Sequence, residues 1–432
     1  MSLNKRLRDL QARGQSIRVA LVGAGQMGTG LVCQMAQMAG MRVVAVADIE
    51  IERCTAAYRA AGVPSERVVC TNLLADARLA LATGRVVATQ SALLLTQLGD
   101  DVDVIIEASG VPEVGAQVAW HSILCRHHVV MLNVETDVTV GYLLKKMADA
   151  AEVVYTVSAG DEPGATKELF DFADVLGFRI LAAGKGKNNP LDRKATPASL
   201  QAEAESKHMS AKMLCSFVDG TKTMVEMTAL ANATGLVPDV RGMHGPSASV
   251  ADLPRLFDLK TKGGILSRTG VVDFVVGIAP GVFVVVTTDQ PNIQADLRYL
   301  RAGPGPNWVF YRPYHLANIE TPISAARAVL DGEVTIATDM PPVAETIAVA
   351  KRPLRTGDVI DGFGGSTVYG LIERAEVARE QRLLPMGLAP GARVVRLVAE
   401  DEPLTYDDVD LDETRTIVAL RRLQDQLLSA GG

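Results

Sequence analysis

The stretch Ile17-Arg18-Val19-Ala20-Leu21-Val22-Gly23-Ala24-Gly25-Gln26-Met27-Gly28 decides how this chain is read. Its apolar first half reads as a buried strand, and Gln26 to Ala39 reads as a helix that Gly40 is placed to end. Between the two, Gly23 permits a tight turn, Gly25 lets the backbone approach a pyrophosphate, and Gly28 lets helix and strand pack closely. Gln26 and Met27 open the helix, whose free N–H groups and positive dipole end suit phosphates. A second strand, 41–47, ends at Asp48, twenty residues past Gly28. An acid there accepts the adenosine ribose hydroxyls and repels a 2′-phosphate, which favours NAD over NADP, with Arg53 as a partial offset.

Working outward, strands at 102–108, 128–132 and 152–157 alternate with helices at 113–125 and 137–150. That rhythm predicts an α/β chain with a Rossmann doubly wound parallel sheet over 1–155. From 156 to 340 the pattern predicts a mixed α+β substrate domain. It opens with a helix from Asp161-Glu162-Pro163-Gly164 and continues with a strand from Phe178 to Ala183 that ends in a basic loop. Past Pro342, short apolar pieces punctuated by Pro and Gly predict a small all-β module, closed by a helix over 414–428 and filling 341–432.

The 432 residues, 48% hydrophobic and 22% charged, suit a packed enzyme of two or three domains. The net charge of −7 with no basic stripe excludes a nucleic-acid partner and asks any anionic substrate to find a local cationic pocket. Five scattered cysteines without a CxxC pair predict neither a disulfide framework nor a bound zinc, so no metal-ligating residues are assigned from spacing. The polar start Ser2 to Asp9 lacks the apolar core of a signal peptide. The most apolar region, 271–286, contains Asp273, Gly277, Pro280 and Gly281 and reads as two buried strands, not a membrane span. A cytoplasmic location, no membrane partner and a homo-oligomer, most simply a two-fold dimer, are expected.

Several residues carry chemistry. Ser109 and Gly110 follow a strand whose end should reach the cofactor, and Asn133 and Glu135 could line its nicotinamide side. The loop Lys185-Gly186-Lys187-Asn188-Asn189-Pro190 is the strongest substrate candidate, because two lysines and two amides can bind an anion, polarise a carbonyl or relay a proton. Asp161 and Glu162 could partner it, bind a cation, or simply charge a helix N-terminus. His244 sits in a Gly/Pro-shaped turn and His315 precedes a long helix; a lone histidine is more often structural.

These residues also carry a resemblance. Gly23 to Gly28, Gly160-Asp161-Glu162-Pro163, Ala183 to Pro190, Asp219 to Met227, Ala231 to Asp239, Met243-His244-Gly245-Pro246 and Tyr311 to Leu316 resemble the homoserine-dehydrogenase-like proteins with a C-terminal SAF (β-clip) module. The family includes the deoxyxylulose-5-phosphate reductoisomerase-like (DRL) enzyme. The resemblance implies a phosphorylated keto-sugar, rearranged and then reduced by NADPH with a divalent metal assisting, in isoprenoid biosynthesis. It places substrate on Lys185 to Asn189, with Asp161, Glu162 and Glu226 near it. Asp48 departs from an NADPH enzyme. An NAD-dependent homoserine-like, sugar-acid or polyol dehydrogenase fits the same scaffold, and a non-catalytic cofactor-sensing protein is the alternative of another class.

Overall fold

The computed structural model describes residues 2–207 and 209–430. Its first strands are β1 (Ile17–Val22), β2 (Met41–Ala47), β3 (Val68–Cys70), β4 (Val86–Thr89), β5 (Val104–Glu107), β6 (His128–Met131) and β7 (Tyr155–Val157). All pair in parallel, in the order β3-β4-β2-β1-β5-β6-β7. The central strands are apolar almost without interruption because helices cover both faces. The chain winds away from β1 in both directions, so the crevice outside the carboxyl end of β1 is where such a sheet binds its ligand.

The second group of strands is β8 (Arg179–Lys187), β9 (Val237–Pro238), β10 (Val271–Val276), β11 (Val282–Thr287) and β12 (Asn307–Arg312), in the order β12-β11-β8-β10-β9. β8 runs parallel to β10 and antiparallel to β11, which makes the sheet mixed. The helices Glu162–Val175 and Thr221–Thr234 lie against it, with Met224 and Met227 in one core with Val272, Phe274 and Trp308. β13 (Ala344–Ala350) and β14 (Val368–Arg374) form an antiparallel pair.

Contacts regroup the three expected segments into two compact units. One holds residues up to Asp161 together with Leu316–Asp339 and the chain from Leu420; the other holds Glu162–His315 and Met340–Ala419. The helix Ala317–Asp331 joins the first unit because Ala325 and Ala326 complete its core and Ser324 Oγ accepts the Ala159 N–H at 2.8 Å. The closing helix is tied to the first unit through Gln424, which accepts from Leu143 N (3.0 Å) and donates to Thr139 O (3.1 Å). The strands expected to stand as a separate module share their core with the mixed sheet: Ile347, Val349, Leu371 and Ile372 pack with Met224 and Met227. Among the described residues, no helix is long and apolar enough to cross a membrane.

Candidate functional site

In the first unit, the three glycines of the opening turn differ in what surrounds them. Gly23 has φ +93°, and a Cβ there would lie 2.7 Å from Ala108 O. A Cβ on Gly28 would meet Gly23 O at 1.9 Å, so the helix seats directly on the turn. A Cβ on Gly25 would meet nothing within 4 Å, so that backbone faces open space, as the approach of a diphosphate requires. Gln26 and Met27 are exposed beside it. Asp48 is half-buried at the end of β2, and its carboxylate accepts from Ala24 N (2.8 Å) and Glu50 N (3.0 Å). The acid therefore braces the turn. Arg53 is spent on Glu50 at 2.7 Å, leaving this edge acidic.

The other residues expected beside a cofactor divide in their roles. Ser109 is half-buried and Gly110 exposed after β5. Ser109 N–H donates to Glu107 Oε1 at 2.9 Å. Asn133 caps the helix Val134–Ala150: its Oδ1 accepts from Thr136 N at 3.2 Å and its Nδ2 donates to Val111 O at 3.1 Å. Glu135 is buried in the first turn of that helix. Glu107 is fully buried, and burial pushes its carboxyl up to about 7. Asp137 rises likewise and accepts from Tyr155 OH at 3.0 Å.

In the second unit the expected basic loop is strand. β8 runs through Lys187, and both lysines are buried. Glycine and lysine read as turn signals, yet here they alternate with the pleat. A Cβ on Gly184 would meet Asp273 O at 1.7 Å and one on Gly186 would meet Ala279 N at 2.4 Å, so the glycines let neighbouring backbone close in. Lys185 and Lys187 share the opposite face, towards the helices. Lys185 Nζ lies 2.5 Å from Glu162 Oε1 and bonds Glu226 Oε2 as well. Burial pulls the Lys185 amine down, but the charges of Glu162 and Glu226 overcome that and raise it. Burial, then the charge of Glu162, push Glu226 up to about 7. Lys187 Nζ donates to Phe217 O at 2.6 Å; burial, then the charge of Lys185, lower it to about 8. Asn188 is exposed and Asn189 half-buried, just past the strand.

Two histidines fare differently. His315 Nε2 lies 3.3 Å from Glu162 Oε1, so the histidine read as a lone residue joins the lysine cluster. No local pattern signals this, since the partner is remote in sequence. His244 is bound instead to Asp239 at 2.8 Å, in a loop running beyond β9 along the outer side of β10. Its N–H and that of Gly245 reach the carboxylate of Asp273, at 3.1 and 2.9 Å. An acid inside the otherwise apolar run 271–276 was the available sign of a buried anchor. Asp161 is buried at the residue before the helix that Glu162 opens.

Comparison with known proteins adds a class. The model of the family described as "Oxidoreductase DRL, catalytic domain" matches residues 160–321. No curated protein matches the chain. Among solved structures, the chain is similar to a 3-ketoreductase from Actinomadura kijaniata in complex with TDP-benzene and NADP (15% identity, 40% of this chain and 50% of that chain, TM-score 0.30). It thus spans about half the length of that relative. It is also similar to a probable dehydrogenase from Thermotoga maritima (11% identity, 75% and 91%, TM-score 0.43). A third is a myo-inositol dehydrogenase from Corynebacterium glutamicum (10% identity, 73% and 89%, TM-score 0.40). Residues 160–321 thus match an oxidoreductase catalytic domain, and they follow a Rossmann-type parallel sheet.

Proposed function

We propose that the protein reduces a small, hydroxylated, anionic keto-sugar in the manner of the deoxyxylulose-5-phosphate reductoisomerase-like enzymes. The observation that carries this is the buried ammonium of Lys185 held between Glu162 and Glu226. As hydride reaches a carbonyl carbon, negative charge develops on oxygen, and a fixed ammonium stabilises that charge and can supply the proton. Glu226, with its raised affinity for a proton, would return one to the amine. Lys187, poised near neutrality, would bind the substrate's anionic group or exchange a proton with it. Asn188 and Asn189 would supply amide contacts at the strand end, and His244 would shape the border of the site. The strand-rich segment 340–419 would be the SAF-like module.

The nicotinamide nucleotide would sit on the Gly23–Gly28 turn, with Ser109, Gly110, Asn133 and Glu135 towards its reactive end; when bound it supplies the hydride. The open approach to Gly25 supports this. The divalent metal implied by the resemblance fits the second unit poorly. Glu162 and His315 offer donors, but Lys185 Nζ already lies 2.5 Å from the same Glu162 oxygen, and an ammonium there opposes a second cation. A second reading, an NAD-dependent sugar-acid or polyol dehydrogenase, is favoured by Asp48 beside an Arg53 already paired with Glu50.

The test is oxidation of NADPH and NADH with deoxyxylulose phosphate, with and without Mn2+ or Mg2+. Lys185→Ala should lower kcat by about 10²-fold or more while cofactor affinity holds. Silence with every cofactor and metal combination removes the keto-sugar reading, and full activity in Lys185→Ala removes the assignment of the site.

A further inference from the structure

Lys187 is held from behind. The carbonyl that receives its amine, Phe217 O, lies in the last turn of the helix Ala211–Val218. Asp219 caps that helix end with its side chain fully buried. One of its carboxylate oxygens accepts the Thr221 N–H at 2.8 Å. The other lies 2.8 Å from Lys351 Nζ, at an angle that makes the contact an ion pair without a formed hydrogen bond. Lys351 directly follows β13, and its side chain is 2% exposed, so the charge cannot be met by water. Its amine also donates to Ala195 O and Gly365 O, both at 2.7 Å, and touches Cys215 Sγ at 3.4 Å.

The charges facing Lys187 are therefore few and identifiable. They are Lys185 on its own strand, Asp219 at the helix end and Glu226 on the helix Thr221–Thr234. Of the two acids, Glu226 is taken by Lys185 and Asp219 by Lys351. Neither of these two acids is left over to hold a proton on Lys187. We propose that Lys351, supplied by the strand-rich segment 340–419, is a positioning residue for Lys187: it cancels Asp219 and anchors the helix end whose carbonyl aims the Lys187 amine. This rests on the reading of Lys187 as part of the substrate site, and it gives the segment a role in that site's chemistry. An opposite charge a few ångströms from an amine shifts its titration by about one unit or more, and removing the competitor for that charge should do the same.

The experiment titrates Lys187 directly, without substrate, by competitive acetic anhydride labelling of the folded chain across pH, read at Lys187 by peptide mass spectrometry. In Lys351→Met, Asp219 loses its partner and the Lys187 midpoint should rise by about one unit. In Asp219→Asn it should fall or stay below the Lys351→Met value. In the charge-balanced Lys351→Met/Asp219→Asn double variant it should return close to the wild-type midpoint. An unmoved midpoint in a Lys351→Met protein that keeps its far-ultraviolet circular dichroism overturns the proposal. If that variant does not fold, a double variant whose Lys187 midpoint differs from wild type by more than half a unit overturns it. A moved midpoint with turnover unchanged supports the positioning role while removing Lys187 from the reaction, so the two readings fail separately.

Discussion

The glycine turn of the first unit and the lysine–glycine strand of the second use the same small residue for opposite ends. Gly25 leaves open space beside its backbone, whereas Gly184 and Gly186 let neighbouring protein backbone close in. In the first case the backbone stays open to approach; in the second the backbone closes up while two long side chains are buried on the other face. A site made of backbone amides is written locally, in a run of six residues. A site made of buried charges depends on partners 23 and 41 residues away, as Lys185 does on Glu162 and Glu226.

The largest effect should separate the two uses of glycine. Gly184→Ala drives a methyl group into Asp273 O, and the fold should lose ~3 kcal/mol or more, read as a lower urea midpoint. Gly25→Ala, at a φ of −69° with open space around it, should melt like the wild type yet bind nicotinamide nucleotide roughly tenfold more weakly or worse by calorimetry. Equal losses of stability in both variants would erase the distinction.

A smaller effect concerns pH, where one buried group from each region, Glu107 and Lys187, should contribute slopes of opposite sign. The folded state holds a proton on Glu107 between pH 4.5 and about 7 that the unfolded chain has released. Stability should therefore fall as pH rises through that window, by at most ~1.4 kcal/mol per pH unit for one group. Lys187 is the reverse case: lowered from 10.5 to about 8, it is protonated in the unfolded chain while neutral in the fold, so stability should rise between those values. Denaturant midpoints across pH should show a shallower acidic slope in Glu107→Gln, with Asp137 and Glu226 keeping the remainder, and an unaltered alkaline one; an acidic slope as steep as the wild type's assigns none of it to Glu107. The smallest effect is at Asp48. Asp48→Asn still accepts the Ala24 N–H but drops the charge, and should move the NAD-to-NADP affinity ratio towards NADP by roughly three- to tenfold.

What the sequence revealed follows the same division. β1, β2, β5, β6 and β7 were legible because strands buried on both faces are continuous apolar runs with turns between them. β3 and β4 were not, being three and four residues long with no period to detect. The lysines stood out in the sequence as a charged pair but not as strand: Lys185-Gly186-Lys187 has the composition of a turn, and remote acids make Lys185 tolerable inside a sheet. His315 was hidden for the same reason. Asn133 was visible as a residue at a strand end, but a helix N-cap and a cofactor contact look alike in one dimension.

The regrouping of the chain also bears on how it must be made. Its path crosses between the two compact units four times, after Asp161, His315, Asp339 and Ala419. A ribosome releasing this chain from its N-terminus would thus have the dinucleotide fold nearly whole early on, yet without the helix carrying Ala325 and Ala326 and without the clasp of Gln424. Neither half can be cut out as one contiguous fragment. Completion of the first unit is a late event, and a truncation before Leu420 should be felt more than 250 residues upstream, at Thr139 and Leu143.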